Sequence, residues 1–188
     1  MAIRTIAKPR GWDGGRRMTE AEYLALPEVK PYLEFIDGEV VQKSMPTRRH
    51  SKAVYEIDGR FWRYSQEYGG EGGPERRVRL RSGLYVLPDT AFWAVGRPAG
   101  DDSIPSVAIE VLSPDDSRSD ARKKCRWYIE SGVVTAWLID PVRRTAELFG
   151  DGHDGTPLRP PEGVLTSSAM PGFALALADL FAALDEPA

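Results

Sequence analysis

Cysteine is almost missing: Cys125 is the one thiol in 188 residues. That excludes an internal disulfide and every zinc site built on several cysteines. No apolar stretch approaches the ~18–20 residues of a membrane helix. The first 17 residues lack the apolar core of a signal peptide, so the expectation is a cytoplasmic chain with no membrane partner. There is no internal repeat and no low-complexity segment. Neither sign of charge dominates, since 25 basic residues face 28 acidic ones for a net charge of −3. This excludes a protein whose whole surface grips nucleic acid, but it leaves room for a local basic groove.

What remains is ordinary globular composition at a length suited to one domain. Residues 1–17, rich in Gly and Arg, read as a flexible arm, and residues 18–188 read as a single domain. Charge comes in blocks. Residues 48–81 and 118–126 each sum to +4, and residues 82–117 between them sum to −5.

Thr19 and Glu22 have capping-box spacing for a short helix ended by Pro27. Asp37-Gly38 between apolar runs from Tyr32 to Val41 predicts a two-residue hairpin. Val54, Ile57, Phe61, Tyr64 and Tyr68 recur at steps of three and four, which predicts a helix over 50–68, stopped by Gly69-Gly70 and Gly72-Gly73. Val78 and Leu80 alternate with Arg77, Arg79 and Arg81, so that strand has one apolar and one basic face. Leu84–Leu87, Ala91–Val95, Val107–Leu112, Val133–Ile139 and Thr145–Phe149 read as further strands. A helix spans Ser113 to Ser131, residues 150–172 read as loop, and Phe173–Leu184 reads as an amphipathic helix. Trp62, Trp93, Trp127 and Trp137 read as core, and Cys125 as packing. The order predicts an α/β (α+β) fold, a sheet flanked by helices.

Three polar residues carry chemistry. Asp89 follows Pro88 at a strand end. Glu110 lies inside a run that suits a strand buried on both faces, where a carboxylate is costly unless it is paired or bound to metal. Lys124 lies one helix later. Two carboxylates on adjacent strands with a lysine nearby can hold a divalent cation, orient water and stabilise charge developing on a phosphate. Simpler roles exist for each. Asp89 could cap the turn after Pro88, and Lys124 could be a solvated helix lysine. Arg77, Arg79 and Arg81 could either contact a phosphate backbone or merely protect an edge strand.

Pro88-Asp89, Glu110-Val111-Leu112-Ser113-Pro114, Lys124-x-x-x-Tyr128 and the run Gly132-Val133 to Trp137-Leu138-Ile139-Asp140-Pro141 together resemble the PD-(D/E)xK, restriction-endonuclease-like superfamily. Within it, the chain resembles a bacterial family described as putative restriction endonucleases, formerly a domain of unknown function. Leu33-Glu34-Phe35-Ile36-Asp37-Gly38-Glu39 and His50-Ser51 also match that family. The resemblance covers residues 18–180. It implies a mixed central sheet flanked by helices and a metal-dependent DNA endonuclease. Asp89 and Glu110 would be metal ligands for Mg²⁺, with Mn²⁺ as a substitute. Glu34, in preference to Glu39, would be a further acid. The superfamily places its lysine two residues after the second acid; here Leu112 stands there, and Lys124 takes the lysine's place. Lys123 would point about 100° away on a helix. His50 is expected to touch a substrate phosphate. An endonuclease of this kind is expected to be a homodimer, because two sites would let it cut both strands. The competing reading is a catalytically inactive module of the same fold, used for nucleic-acid binding or protein assembly.

Overall fold

Thr19 opens the first helix, α1 (Glu20–Leu24), in the computed structural model, which describes residues 17–27, 30 and 32–185. Its side chain accepts the Glu22 N–H, and Glu22 reaches back to the Thr19 N–H at 2.7 Å, completing the capping box. The proposed arm lies outside the described residues except for Arg17, whose backbone forms an isolated antiparallel bridge with Glu39. The Asp-Gly turn then joins β1 (Leu33–Ile36) to β2 (Glu39–Gln42). Asp37 and Gly38 both have positive φ, 50° and 90°, the conformation that matches strand twist in a tight hairpin.

The long helix α2 (Arg48–Tyr68) is capped by Thr47 and starts two residues before the sequence signal, so His50 lies in its first turn. It buries Ala53, Ile57 and Phe61 along one stripe. Next come β3 (Glu71–Pro74), β4 (Val78–Arg81), β5 (Leu84–Val86), β6 (Thr90–Trp93) and β7 (Val107–Val111). Helix α3 (Arg118–Glu130) follows, capped by Ser117 rather than starting at Ser113. The chain finishes through β8 (Thr135–Asp140), β9 (Thr145–Gly150), β10 (His153–Leu158), β11 (Val164–Leu165), β12 (Leu175–Ala176) and α4 (Leu177–Asp185). No helix of the described residues is long and apolar enough to cross a membrane.

Six strands form the main sheet, in the order β10-β9-β8-β7-β6-β3, and four form a smaller sheet, β2-β1-β5-β4. In the main sheet only β7 and β8 run parallel; α3 is the crossover between them. This is the mixed sheet with flanking helices expected from the resemblance. Period-2 alternation sorts the main sheet's side chains. Val107, Ile109, Val111, Trp137 and Ile139 share a core with α2 and α4, where Phe61 meets Phe92, Trp137 and Phe173. Ala108, Ala136 and Leu138 pack on the other side with α3 and the smaller sheet.

Several expectations need correction. The glycine stretch after α2 carries β3, because small residues there let other groups approach closely. A Cβ on Gly70 would lie 2.7 Å from the Phe92 ring, and one on Gly72 2.9 Å from Phe61. The segment read as loop contains β10 and β11. Strand β10 hides its signal behind Gly155, at a register shift, and Pro157, which an edge strand tolerates. The last helix starts at Leu177, because Leu175-Ala176 pair with β11 first. Trp93 and Trp137 are buried, but Trp62 is 64% exposed on α2 and is not core. Cys125 is buried, as its packing role requires.

Two glycines give opposite expectations. Gly150 has φ of 80°, and a Cβ there would overlap the Val134 carbonyl oxygen. Gly150→Ala should lose at least about 2 kcal/mol. Gly59 sits in α2, and a Cβ added to it would meet nothing within 4 Å. Gly59→Ala should gain about 0.5–1 kcal/mol. Urea denaturation midpoints of both variants check the pair.

Candidate active site

Strand alternation decides where the key carboxylates go. Ala108 and Glu110 share the face of β7 that looks toward α3, whereas Ile109 and Val111 look toward α2. Asp89 immediately precedes β6. Thr90 is opposite Ile109, and the Asp89 N–H donates to the Ile109 carbonyl at 2.9 Å, which places Asp89 beside Glu110 on the neighbouring strand. Helix α3 presents Lys124 and Tyr128 on one stripe at i, i+4. Glu34 comes from β1, Lys43 from just beyond β2, and His50 from the first turn of α2. Apart from Tyr128, these residues line one small cavity of about 80 Å³ at the seam between the two sheets.

The polar contacts interlock. Lys124 Nζ donates to Glu34 Oε1 at 2.5 Å and lies 2.9 Å from Glu110 Oε1. The Tyr128 hydroxyl donates to the same Glu110 oxygen at 2.5 Å. Lys43 Nζ lies 2.7 Å from Asp89 Oδ1. The other Asp89 oxygen accepts the Val111 N–H at 2.7 Å and lies 3.1 Å from His50 Nε2. The backbone of Leu87 ties the two halves together: its N–H donates to Glu34, and its carbonyl accepts from Lys43 and Lys124.

Burial and charge push these groups apart in acidity. Burial raises Asp89, but the Lys43 ammonium and the His50 hydrogen bond more than reverse this and hold it far below the usual carboxylate range. Burial raises Glu110; Lys124 opposes the rise and the Asp89 charge adds to it, leaving Glu110 well above an ordinary glutamate. Burial would lower Lys124, yet Glu110 and Glu34 more than offset it, and the amine is held firmly protonated. Lys43 is raised in the same way, against burial, by Asp89.

The structure brings Asp89, Glu110, Lys124, Glu34 and His50 into one cavity. His50 meets Asp89 there. Glu39 lies on β2 outside that lining. Arg77, Arg79 and Arg81 are not brought in; they pair with Asp102, Glu20 and Asp37 respectively. Lys123 turns away as expected and lies over the Trp127 ring. Sequence reading missed Lys43. Its position in the cavity comes from the smaller sheet docking on the larger, and no local pattern announces that.

Magnesium, implied by the resemblance, takes hard oxygen ligands and often uses only one or two carboxylates, with water completing the shell. Asp89 and Glu110 supply that pair on adjacent strands, with Glu34 close by across Lys124. Carboxylates outnumber ammonium groups along the cavity, with Asp116 and Asp120 also in its lining, so the donor set fits a hard divalent cation. Among the described residues, no group of three or more His, Cys, Asp and Glu side chains forms a metal-holding cluster. Lys43 pairs with Asp89, and Lys124 with Glu34 and Glu110.

Three comparisons place the chain among known proteins. The family model described as Uma2, putative restriction endonuclease, matches residues 20–178. Among solved structures, the chain is similar to a putative nuclease belonging to DUF820 from Anabaena variabilis ATCC 29413. The TM-score is 0.78 at 25% identity, covering 89% of this chain and 99% of that one. No curated protein matches.

The acid limb of stability tests the Asp89 contacts. Its carboxyl titrates below its unfolded value of about 3.9, so its contribution is present above that pH and is lost as pH falls through the folded value. In metal-free buffer, Asp89→Asn should be less stable than wild type at pH 7, and the gap should narrow below about pH 4. Thermal melts across pH measure it. A gap independent of pH would contradict the ion pairing.

Proposed function

The chain belongs to the Uma2 family of putative restriction endonucleases, and from that premise we propose that it is a divalent-metal-dependent DNA endonuclease, hydrolysing phosphodiester bonds. One observation carries the reading. Two buried carboxylates, Asp89 and Glu110, lie side by side on adjacent strands, with the Lys124 ammonium fixed against the second. Among structural roles, a buried ion cluster is an inefficient way to gain stability, because desolvation cancels most of the attraction. Such a cluster in a cavity is better explained by chemistry.

Asp89 and Glu110 would hold Mg²⁺, or Mn²⁺ in its place. When bound, the ion supplies Lewis-acid polarisation of a phosphoryl oxygen and makes water a better nucleophile at neutral pH. Lys124 places a fixed positive charge where an attacked phosphate gathers negative charge. Because its neighbours keep it protonated, it works by charge and hydrogen bonding rather than as a proton acceptor. Glu34 holds that ammonium in position and adds a further carboxylate to the cavity lining. Tyr128 fixes the Glu110 rotamer. His50 orients Asp89, in addition to any contact with a substrate phosphate.

The substrate would enter from the α2 side. A groove of about 260 Å³, walled by Tyr55, Asp58, Pro74 and Glu75, opens onto His50 and Asp89. Asp58 and Glu75 make this groove acidic, so a phosphate backbone would reach the carboxylates through it only with a bound cation to offset them. Arg77, Arg79 and Arg81, already paired with acids, are left with a positioning role at most. A homodimer would supply the second site needed to cut both strands.

Nicking of supercoiled DNA in Mg²⁺ or Mn²⁺ is the direct assay. Glu110→Gln and Asp89→Ala should each lower the rate by about 100-fold or more, with near-ultraviolet circular dichroism showing retained tertiary structure. Lys124→Met should also lower it. Wild-type protein that binds DNA equally with and without EDTA and never cuts would instead establish the inactive nuclease-fold module.

A further inference from the structure

Lys43 stands apart in the cluster, since the reaction outlined above requires one lysine and Lys124 supplies it. Lys43 reaches in from the end of β2 with its side chain only 13% exposed. Its ammonium rests between two hard oxygens, Asp89 Oδ1 at 2.7 Å and the Leu87 carbonyl at 2.8 Å. That is the kind of surrounding a hard cation prefers. Asp89 has little else to offer an ion. Its Oδ2 already takes the Val111 N–H and faces His50. A divalent cation at Asp89 therefore competes with Lys43 for Oδ1. Lys124 raises no such conflict there, since its contacts are to Glu34, Glu110 and Leu87.

We propose that Lys43 is a built-in counter-cation, occupying the Asp89 end of the metal site in the metal-free chain and leaving it when a divalent ion binds. The inference rests on the nuclease reading of this cavity. Without Lys43, three carboxylates would be buried with one ammonium, which is costly. Lys43 thus stabilises the fold around these carboxylates, at the expense of weaker metal binding. The displaced amine would turn toward the other acids of the cavity. Lys43 begins the irregular segment 43–47, which joins β2 to α2. Asp116 and Asp120 line the same cavity and offer carboxylates nearby. Asp116 is itself held by Ser44 Oγ at 2.7 Å and by the Ser113 N–H at 2.7 Å. Lys43 is on this account a positioning residue that sets metal affinity and does not touch the reacting atoms.

The test is Mn²⁺ binding, followed by electron paramagnetic resonance of the free ion and by calorimetry, together with melting temperature with and without Mn²⁺. Lys43→Met and Lys43→Gln should each bind Mn²⁺ about tenfold or more tightly than wild type. Both should melt lower than wild type without metal and gain more on its addition. If Lys43→Met folds only when Mn²⁺ is present, that too supports displacement. Lys43→Arg, which keeps the charge, should not tighten binding. Wild-type affinity or weaker binding in both neutral variants would overturn the inference while leaving the metal site itself intact. No Mn²⁺ binding by wild type or any variant would overturn the nuclease reading and this inference with it.

Discussion

Everything at this site depends on neutralising buried carboxylates where two sheets meet. Glu34, Asp89 and Glu110 are each less than a tenth exposed. Isolated charges in such surroundings are prohibitive, and even paired ones gain little net stability. The solution here is a network rather than separate pairs. Leu87 sits at its centre, giving its N–H to Glu34 and its carbonyl to both lysines. Because the smaller sheet and its flanks contribute Glu34, Lys43 and Leu87 while the main sheet contributes Asp89 and Glu110, the network also fixes how the two sheets dock. Removing one member would leave its partners buried and unpaired, so folding and site geometry are coupled.

The same arrangement gives the site its chemical character. Asp89 is held strongly acidic by Lys43 and His50, Glu110 is raised mainly by burial, and Lys124 is kept charged. Groups of similar ordinary acidity are driven apart by their surroundings, a pattern typical of sites that do chemistry. The net charge of −3 by itself argues only against indiscriminate coating of nucleic acid. In the folded chain the acidic excess of residues 82–117 includes the two proposed ligands, and a bound cation would turn that local repulsion of phosphate into attraction.

Much of this is legible in the chain before it folds. Glu110 announces itself as a carboxylate inside an apolar run, and Asp89 by its place at a strand end. Lys124 is marked by the family resemblance, which places its lysine four residues before Tyr128, and on α3 that step puts both on one helical stripe. The Asp37-Gly38 hairpin and the Thr19 cap follow from local backbone chemistry. What escapes reading depends on long-range packing. Lys43 shares a cavity with Asp89, 46 residues away, only because β1 pairs with β5 and carries β2 alongside it. Strands β3 and β10 are rich in Gly and Pro, and they exist because a neighbouring strand offers a free edge. The basic strand is readable as a basic face, but its pairing with Asp102, Glu20 and Asp37 is not, since those acids come from other parts of the chain.

On the reading proposed above, the charged seam would be a metal site held closed by Lys43. Anomalous diffraction from crystals grown with and without Mn²⁺ tests it most directly. The expected result is one strong manganese peak within ligand distance of Asp89 and Glu110, with the Lys43 amine withdrawn from Asp89 Oδ1 relative to the metal-free crystal. A cavity with no manganese peak at saturating ion, or a peak there with the Lys43–Asp89 contact unchanged, would contradict it.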